Sequence, residues 1–204
     1  MKTIITVQHT QSVHHINGMV GSWTDWELTE TGKKQAENIA KKLAIELVGK
    51  KFVIYSSDLK RARQTAEIIG HHLNLTPSYT TALRERNLGR CVGKSVKWMR
   101  ENIETQEKTV DDRMFYDAES RRDEWNRLLP FYKQILESSD ENILIISHGD
   151  LLSVFNAMWL KMSIESMNDA EIFGLAGGVS FMIENDEGKH FIKRISDMSY
   201  LKDM

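Results

Sequence analysis

Four short segments carry side chains suited to chemistry on a phosphoester, and they lie far apart in the chain. They are Val7-Gln8-His9-Thr10, the run from Ser56 to Ala66, the run from Leu83 to Gly89, and Ser147-His148-Gly149. Between them they supply two histidines, an arginine and a glutamate: His9, His148, Arg61 and Glu85. One neutral imidazole can attack phosphorus, while a second imidazole and a guanidinium hold the oxygens that gather charge in the transition state. A carboxylic acid can protonate the leaving oxygen. Such a set suits transfer of a phosphoryl group through a phosphohistidine.

The elements that must position these groups are legible from periodicity. Lys2–Val7 reads as a short buried strand with His9 directly after it. Phe52–Ser56 reads as a second strand. A helix follows, capped by Ser57 or Asp58, with an apolar stripe of Leu59, Ala62, Ala66, Ile69 and Leu73. Arg61 falls in its first turn, where free N–H groups favour an anion, and its guanidinium fork matches two phosphate oxygens. Arg63 lies on another face and reads as a surface charge. Ile143–Ile146 is the clearest buried strand. His148 follows it, and a helix over Asp150–Lys161, apolar nearly all round, comes next.

Thr29 is a good N-cap for a helix whose stripe is Ala36, Ile39, Ala40, Leu43, Ala44 and Leu47, with Gly49 at its end. Ser78–Thr80 fits a short third strand, and Gly178–Ile183 with His190–Ile195 fits a terminal hairpin. This alternation predicts an α/β fold, a three-layer α/β/α sandwich with a mostly parallel central sheet. Ligands of such sheets bind beyond the carboxyl ends of the strands, so His9, Arg61 and His148 can meet on one rim. The polar segment of about 89–139 predicts two helices, near Ser95–Glu104 and Ser120–Leu136. It reads as a small helical cap-like insertion over the site, within one domain spanning 1–204, because it has too few apolar residues for a core of its own.

The stretch Ser57-Asp58-Leu59-Lys60-Arg61-Ala62-Arg63-Gln64-Thr65-Ala66 matches the pattern Ser-Asp-Leu-x-Arg-Ala-x-Gln-Thr-Ala. With the other three segments, the chain resembles the histidine phosphatase superfamily, also called the phosphoglycerate mutase-like family. The resemblance implies that His9 is the nucleophile, that Glu85 in Leu83-Arg84-Glu85-Arg86-Asn87-Leu88-Gly89 is the proton donor, and that His148 and Arg61 stabilise the transferring group. The family's opening signature is Arg-His-Gly, whereas this chain has Gln8-His9-Thr10. Gln8 keeps hydrogen-bond donors but loses a positive charge. His15, beside His14, stands where the family has a phosphate-contacting Asn, and Met19 where it often has Arg. An imidazole at position 15 can supply the missing donor and, when protonated, the missing charge. Trp23, Asp25, Leu28 and Thr29 keep the family spacing. Gln8, Thr10, His15 and Trp23 are therefore the expected phosphate- and substrate-binding residues, although Trp23 and Trp26 equally suit packing under a loop.

The implied activity is a phosphomonoesterase acting through a phosphohistidine on a small phosphorylated metabolite. The alternatives are a cofactor-dependent phosphoglycerate mutase and a catalytically weak phosphoester-binding protein. The resemblance implies no cofactor and no metal, and no group of residues has metal-ligand spacing in the sequence. His71-His72 reads as exposed.

Composition narrows the partners. The chain has 204 residues, 41% hydrophobic and 27% charged, with a net charge of −2 from 27 basic and 29 acidic residues. That is ordinary for a globular domain, and it supplies no basic field for nucleic acid or an anionic membrane. An anionic substrate must be drawn by a local cationic pocket. The one cysteine, Cys91, allows no internal disulfide. The N-terminal apolar run is too short for a signal peptide, and no stretch approaches the ~20 apolar residues of a bilayer span. A cytoplasmic location is expected. The oligomeric state is unset, and a homodimer is compatible with the sequence.

Overall fold

The computed structural model describes residues 1–203. In chain order the elements are β1 (Lys2–Gln8), α1 (His14–Asn17), α2 (Glu30–Glu46), β2 (Val53–Ser57), α3 (Lys60–Leu73), β3 (Ser78–Thr80), α4 (Val96–Asn102), α5 (Arg121–Glu137), β4 (Asn142–Ser147), α6 (Gly149–Trp159), β5 (Val179–Glu184) and β6 (His190–Asp197). The six strands form one sheet in the order β3-β2-β4-β1-β5-β6. β1 to β4 are mutually parallel, and the β5–β6 hairpin adds on antiparallel beside β1.

The central strands read as continuous apolar runs because helices cover both sheet faces. Side chains alternate across the strand, so Ile4, Ile143 and Ile145 enter one core while Ile5, Val7, Leu144 and Ile146 enter the other. α2 and α3 complete the second core through Ile39, Leu43, Ala62, Ala66 and Ile69. α5 and α6 complete the first through Leu128, Phe131, Ile135, Leu151, Phe155 and Trp159. The three layers are those expected. The expected cap-like segment narrows, however: α5 belongs to a sandwich layer, because its apolar stripe enters the sheet's core. The part before it carries a small cluster of its own around Val20, Cys91, Phe115 and Ala118.

Register sets the site. Gln8 pairs with Ser147, and Ser56 pairs with Ile146, so β1, β2 and β4 end level with one another. His9 and His148 therefore leave adjacent strands at the same height, and Arg61 enters from the first turn of α3 beside them. Thr29 caps α2 as expected, its side chain accepting from Gly32 N–H. The expected caps of α3 do not act as such: Leu59 is the N-cap residue and has no side-chain cap. The Ser57 hydroxyl instead bonds His148, and Asp58 takes a bidentate ion pair with Arg84 at 2.7 Å on both oxygens.

Gly32 brings the first turn of α2 against the loop that follows His9. A Cβ there would lie 1.9 Å from the carbonyl oxygen of Gln11, which is backbone and cannot yield cheaply. Gly32→Ala is expected to cost about 1–3 kcal/mol, which lowers the melting temperature by roughly 2–12 °C for a domain of this size. Thermal denaturation measures it, and an unshifted melt would show that the contact is not tight.

Candidate active site

His9 is buried, and its tautomer is set by the backbone. Nδ1 lies 2.8 Å from the carbonyl oxygen of Thr10, an acceptor, so Nδ1 carries the hydrogen and Nε2 presents a lone pair. Arg61 Nε–H donates to that Nε2 at 3.1 Å. The rest of the guanidinium donates to the carbonyls of Ser22 at 2.8 Å and Thr24 at 2.9 Å. Burial pushes Arg61 down to about 10, which leaves it charged at neutral pH. Burial first, and Arg61 second, hold His9 and His148 well below the usual imidazole range. Both rings are neutral near pH 7.

His148 stands 5.1 Å from His9 between ring centroids. Its Nε2 is 2.8 Å from the Ser57 hydroxyl, whose other partner is the Leu59 N–H, itself a donor, so His148 Nε2 is the acceptor within reach of the hydroxyl proton. That places the ring hydrogen on Nδ1, which is buried and has no partner. A buried N–H without an acceptor is costly, and here it is a donor ready for a phosphoryl oxygen.

Glu85 leaves the loop after Leu83. One carboxylate oxygen accepts from the backbone N–H groups of Arg86 at 3.1 Å and Leu151 at 3.2 Å. Its neighbours in sequence do not neutralise it: Arg84 is spent on Asp58 and Arg86 on Glu107. Burial first, then the Asp150 carboxylate, pushes Glu85 up to about 7, outweighing the pull of Arg61. It therefore holds a proton to give near neutrality. Its loop is clamped from outside. Trp23 Nε1–H donates to the Glu85 carbonyl at 2.6 Å, and Arg127 of α5 donates to the carbonyls of Ala82 at 2.9 Å, Arg84 at 3.0 Å and Glu85 at 3.2 Å.

The remaining expected residues fall differently. Thr10 spends its hydroxyl on the Gly32 carbonyl at 2.8 Å, so it serves the site by its own carbonyl, which orients His9, and its side chain is not offered to phosphate. Trp23 acts on the backbone of Glu85 and lies 4.7 Å under the Arg84 guanidinium. Gln8 lies against the start of α6, 3.2 Å from where a Cβ on Gly149 would stand, and its Oε1 is buried without a partner. His15 is stacked on His9 at 5.5 Å, and its Nδ1 accepts from Ser12 N–H at 3.0 Å, which leaves Nε2–H as a donor. Burial and Arg61 lower its pKa, so the resting ring offers a hydrogen bond and not the positive charge lost at Gln8. His14, which spacing did not single out, is pushed down to about 3 by burial first, then by His15 and Arg61. His9, His14 and His15 have ligand nitrogens within 4.8 Å of one another, a cluster that only the fold assembles. Arg63 is a surface charge paired with Glu67, as expected, whereas His72 is half-buried and bonded to Glu37 at 2.6 Å.

A cavity of about 530 Å³ lined by Leu47, Phe52, His72 and Leu75 lies at the opposite end of the strands, remote from this chemistry. The arrangement at the rim decides the site: a lone-pair nitrogen, a buried cation, an N–H donor and a protonated carboxyl.

The sequence profile of the histidine phosphatase superfamily (branch 1) matches residues 4–197. The chain belongs to this superfamily. Among curated relatives, it is 31% identical over 191 residues to a 2,3-bisphosphoglycerate-dependent phosphoglycerate mutase of Bartonella henselae, covering 87% of this chain and 89% of the relative. It is 25% identical over 211 residues to a broad-specificity phosphatase of Saccharomyces cerevisiae, covering 98% and 87%. Two solved structures share the fold: YhfR of Bacillus stearothermophilus, with TM-score 0.83 and 23% identity over 99% of this chain and 100% of that one, and a mycobacterial glucosyl-3-phosphoglycerate phosphatase holding inorganic phosphate, with TM-score 0.83 and 21% identity over 100% of both.

In this histidine phosphatase superfamily member, the titration of Glu85 sets a sign for pH dependence. The Glu85 carboxyl is protonated below about pH 7 and ionised above it, while His9 is already neutral throughout that range. Turnover is expected to be flat from about pH 5.5 to 6.5 and to fall roughly tenfold per unit above about pH 7.5. Glu85→Gln should remove the falling limb and lower kcat by about 10²–10⁴ on an alkyl phosphate. A pH–rate profile of both proteins measures this, and an unchanged limb in the variant would assign the titration to another group.

Proposed function

We propose that the protein is a phosphomonoesterase that works through a phosphohistidine at His9. The observation that carries this reading is a buried His9 whose Nε2 lone pair is held by Arg61, on one rim with His148 and with Glu85, a carboxyl bonded to backbone N–H groups and pushed up to about 7 by its burial. In the first step Nε2 attacks phosphorus and the P–O ester bond breaks. The leaving oxygen takes the Glu85 proton. Arg61 Nε–H, which pointed at Nε2, and His148 Nδ1–H turn to the phosphoryl oxygens as their charge grows. In the second step water attacks phosphorus and gives a proton to the Glu85 carboxylate. The P–N bond breaks, and its electron pair returns to Nε2. Phosphate leaves and both groups are reset. Arg61 and the imidazole donors supply the charge stabilisation that a metal provides elsewhere, so turnover is proposed to survive chelation.

The substrate class is a small phosphorylated metabolite, and the location is proposed as cytoplasmic. No helix among the described residues is long and apolar enough to cross a membrane, and the one thiol, Cys91, is buried. A mutase reading is favoured by the name of the relatives at 31% identity. Against it stands Gln8, since the mutases of the family keep the Arg-His-Gly signature. Losing one buried charge-assisted contact costs roughly 1.5–3 kcal/mol, about ten- to a hundredfold in rate or affinity.

Two measurements follow. Phosphate release from a panel of small phosphomonoesters, run with chelator beside an assay of 3-phosphoglycerate isomerisation, is expected to show release, with His9→Ala inactive. Isomerisation without release would favour the mutase, and no reaction on either would leave a binding protein. Gln8→Arg is expected to tighten inhibition by inorganic phosphate about tenfold or more. An unchanged inhibition constant would remove position 8 from the phosphate pocket.

A further inference from the structure

The side chains of His9, His14 and His15 form a cluster that phosphoryl transfer does not require in full. We propose that they bind one divalent transition metal of the zinc or cobalt type, and that its occupation shuts the enzyme down by capturing the nucleophilic nitrogen. The second half of this rests on the phosphatase reading above; the first half does not.

The donor set is three imidazoles whose ligand atoms lie within 4.8 Å of one another. Imidazole suits zinc, cobalt, nickel and copper, whereas magnesium and calcium require oxygen ligands that this cluster lacks. Metal–nitrogen distances of about 2.0–2.1 Å bring tetrahedral ligand atoms to roughly 3.4 Å apart, so the rings must close by an ångström or so. α1, which carries His14 and His15, spans only His14–Asn17 and ends at Gly18 with φ +72°, and His15 is exposed. A single turn of helix is easier to shift than a longer one, and the contacts that must give are the bonds of His14 and His15 to Ser12.

The hydrogen bonds say which nitrogens are available. His9 donates from Nδ1 to the Thr10 carbonyl and leaves Nε2 as the ligand atom. His14 Nδ1 is 2.6 Å from the Ser12 hydroxyl, and by donating to it frees Nε2 in the same way. A ligating histidine held through its other nitrogen is the usual supporting arrangement of metal sites. His15 alone must exchange a bond, because its Nδ1 holds Ser12 N–H at 3.0 Å. Ligation by Nδ1 replaces that contact, and ligation by Nε2 requires the ring hydrogen to move. Three protein ligands leave one position open. The opposing force is Arg61, whose Nε stands 3.1 Å from the same His9 nitrogen. The site is therefore weaker than a structural zinc site, and phosphate competes for it because both need His9 Nε2.

The test is a titration of the metal-stripped full chain with Co²⁺, read by visible absorption, and with Zn²⁺, read by competition with a chromophoric chelator. One equivalent is expected, with the absorption of a tetrahedral cobalt centre that zinc displaces. His14→Ala and His15→Asn should each weaken binding about tenfold or more, while His71→Ala, an exposed histidine on α3, leaves it unchanged. His15 is the exposed one of the pair, so His15→Asn is expected to keep the fold even if His14→Ala does not, and a thermal melt of each checks this. No stoichiometric binding, or binding that survives both substitutions, overturns the site. Phosphate release from the stripped protein should fall on adding zinc and return with chelator; binding without inhibition overturns the capture of His9. Failure of the phosphatase reading would show separately, as no release before any metal is added.

Discussion

The site depends on one buried cation. Arg61 is 1% exposed, and its guanidinium ties His9 to the carbonyls of Ser22 and Thr24. Burying a charge is costly unless hydrogen bonds satisfy it, and here they fix the loop after α1 as well as the ring of His9. The same charge helps keep His9, His14, His15 and His148 neutral. A positive charge that suppresses imidazolium also favours a dianion, so on the proposed mechanism Arg61 serves both His9 and the substrate. Lysine could not replace it, because a point charge lacks the planar fork that reaches three acceptors at once.

A second network surrounds Glu85. Asp150, at the start of α6, faces Arg121 at 3.3 Å and Arg86 at 3.6 Å. Arg121 also holds Glu124, which is wholly buried and whose Oε1 has no partner. Burial and Asp150 push Glu124 above the usual carboxylate range, against the pull of Arg121. Glu85 borders this group of carboxylates and takes its raised pKa from the same two causes. The arginines stop the cluster from flying apart and yet stay off Glu85 itself. That division raises the Glu85 carboxyl on the same rim as the neutral His9 ring, which is what the proposed mechanism uses.

The strand ends were legible because continuous apolar runs mark buried parallel strands, and the rule that ligands gather at their carboxyl ends then places His9, Arg61 and His148 together. What could not be read depends on contacts across the chain. Thr10 looked like a phosphate ligand and is a backbone orienter, since its hydroxyl meets the first turn of α2. α5 reads as part of a cap in sequence because the segment of about 89–139 has too few apolar residues for a core of its own, while in the fold its apolar stripe packs into the core of the sheet. Arg127 and the Arg121–Glu124 pair gave no signal, because helix periodicity assigns charged residues to solvent by default. The histidine cluster was invisible to spacing because His9 joins it from another element.

The claim on which the rest turns is that His9 carries the phosphoryl group. A rapid mixing experiment with a good phosphomonoester substrate, stopped in alkali to preserve phosphohistidine, should leave a phosphoryl group that peptide mapping places on His9. It should accumulate in Glu85→Gln when the leaving group needs no proton, because that variant lacks the base for the second step. A phosphoryl group on His14, His15 or His148, or turnover with none trapped in either protein, would contradict the account.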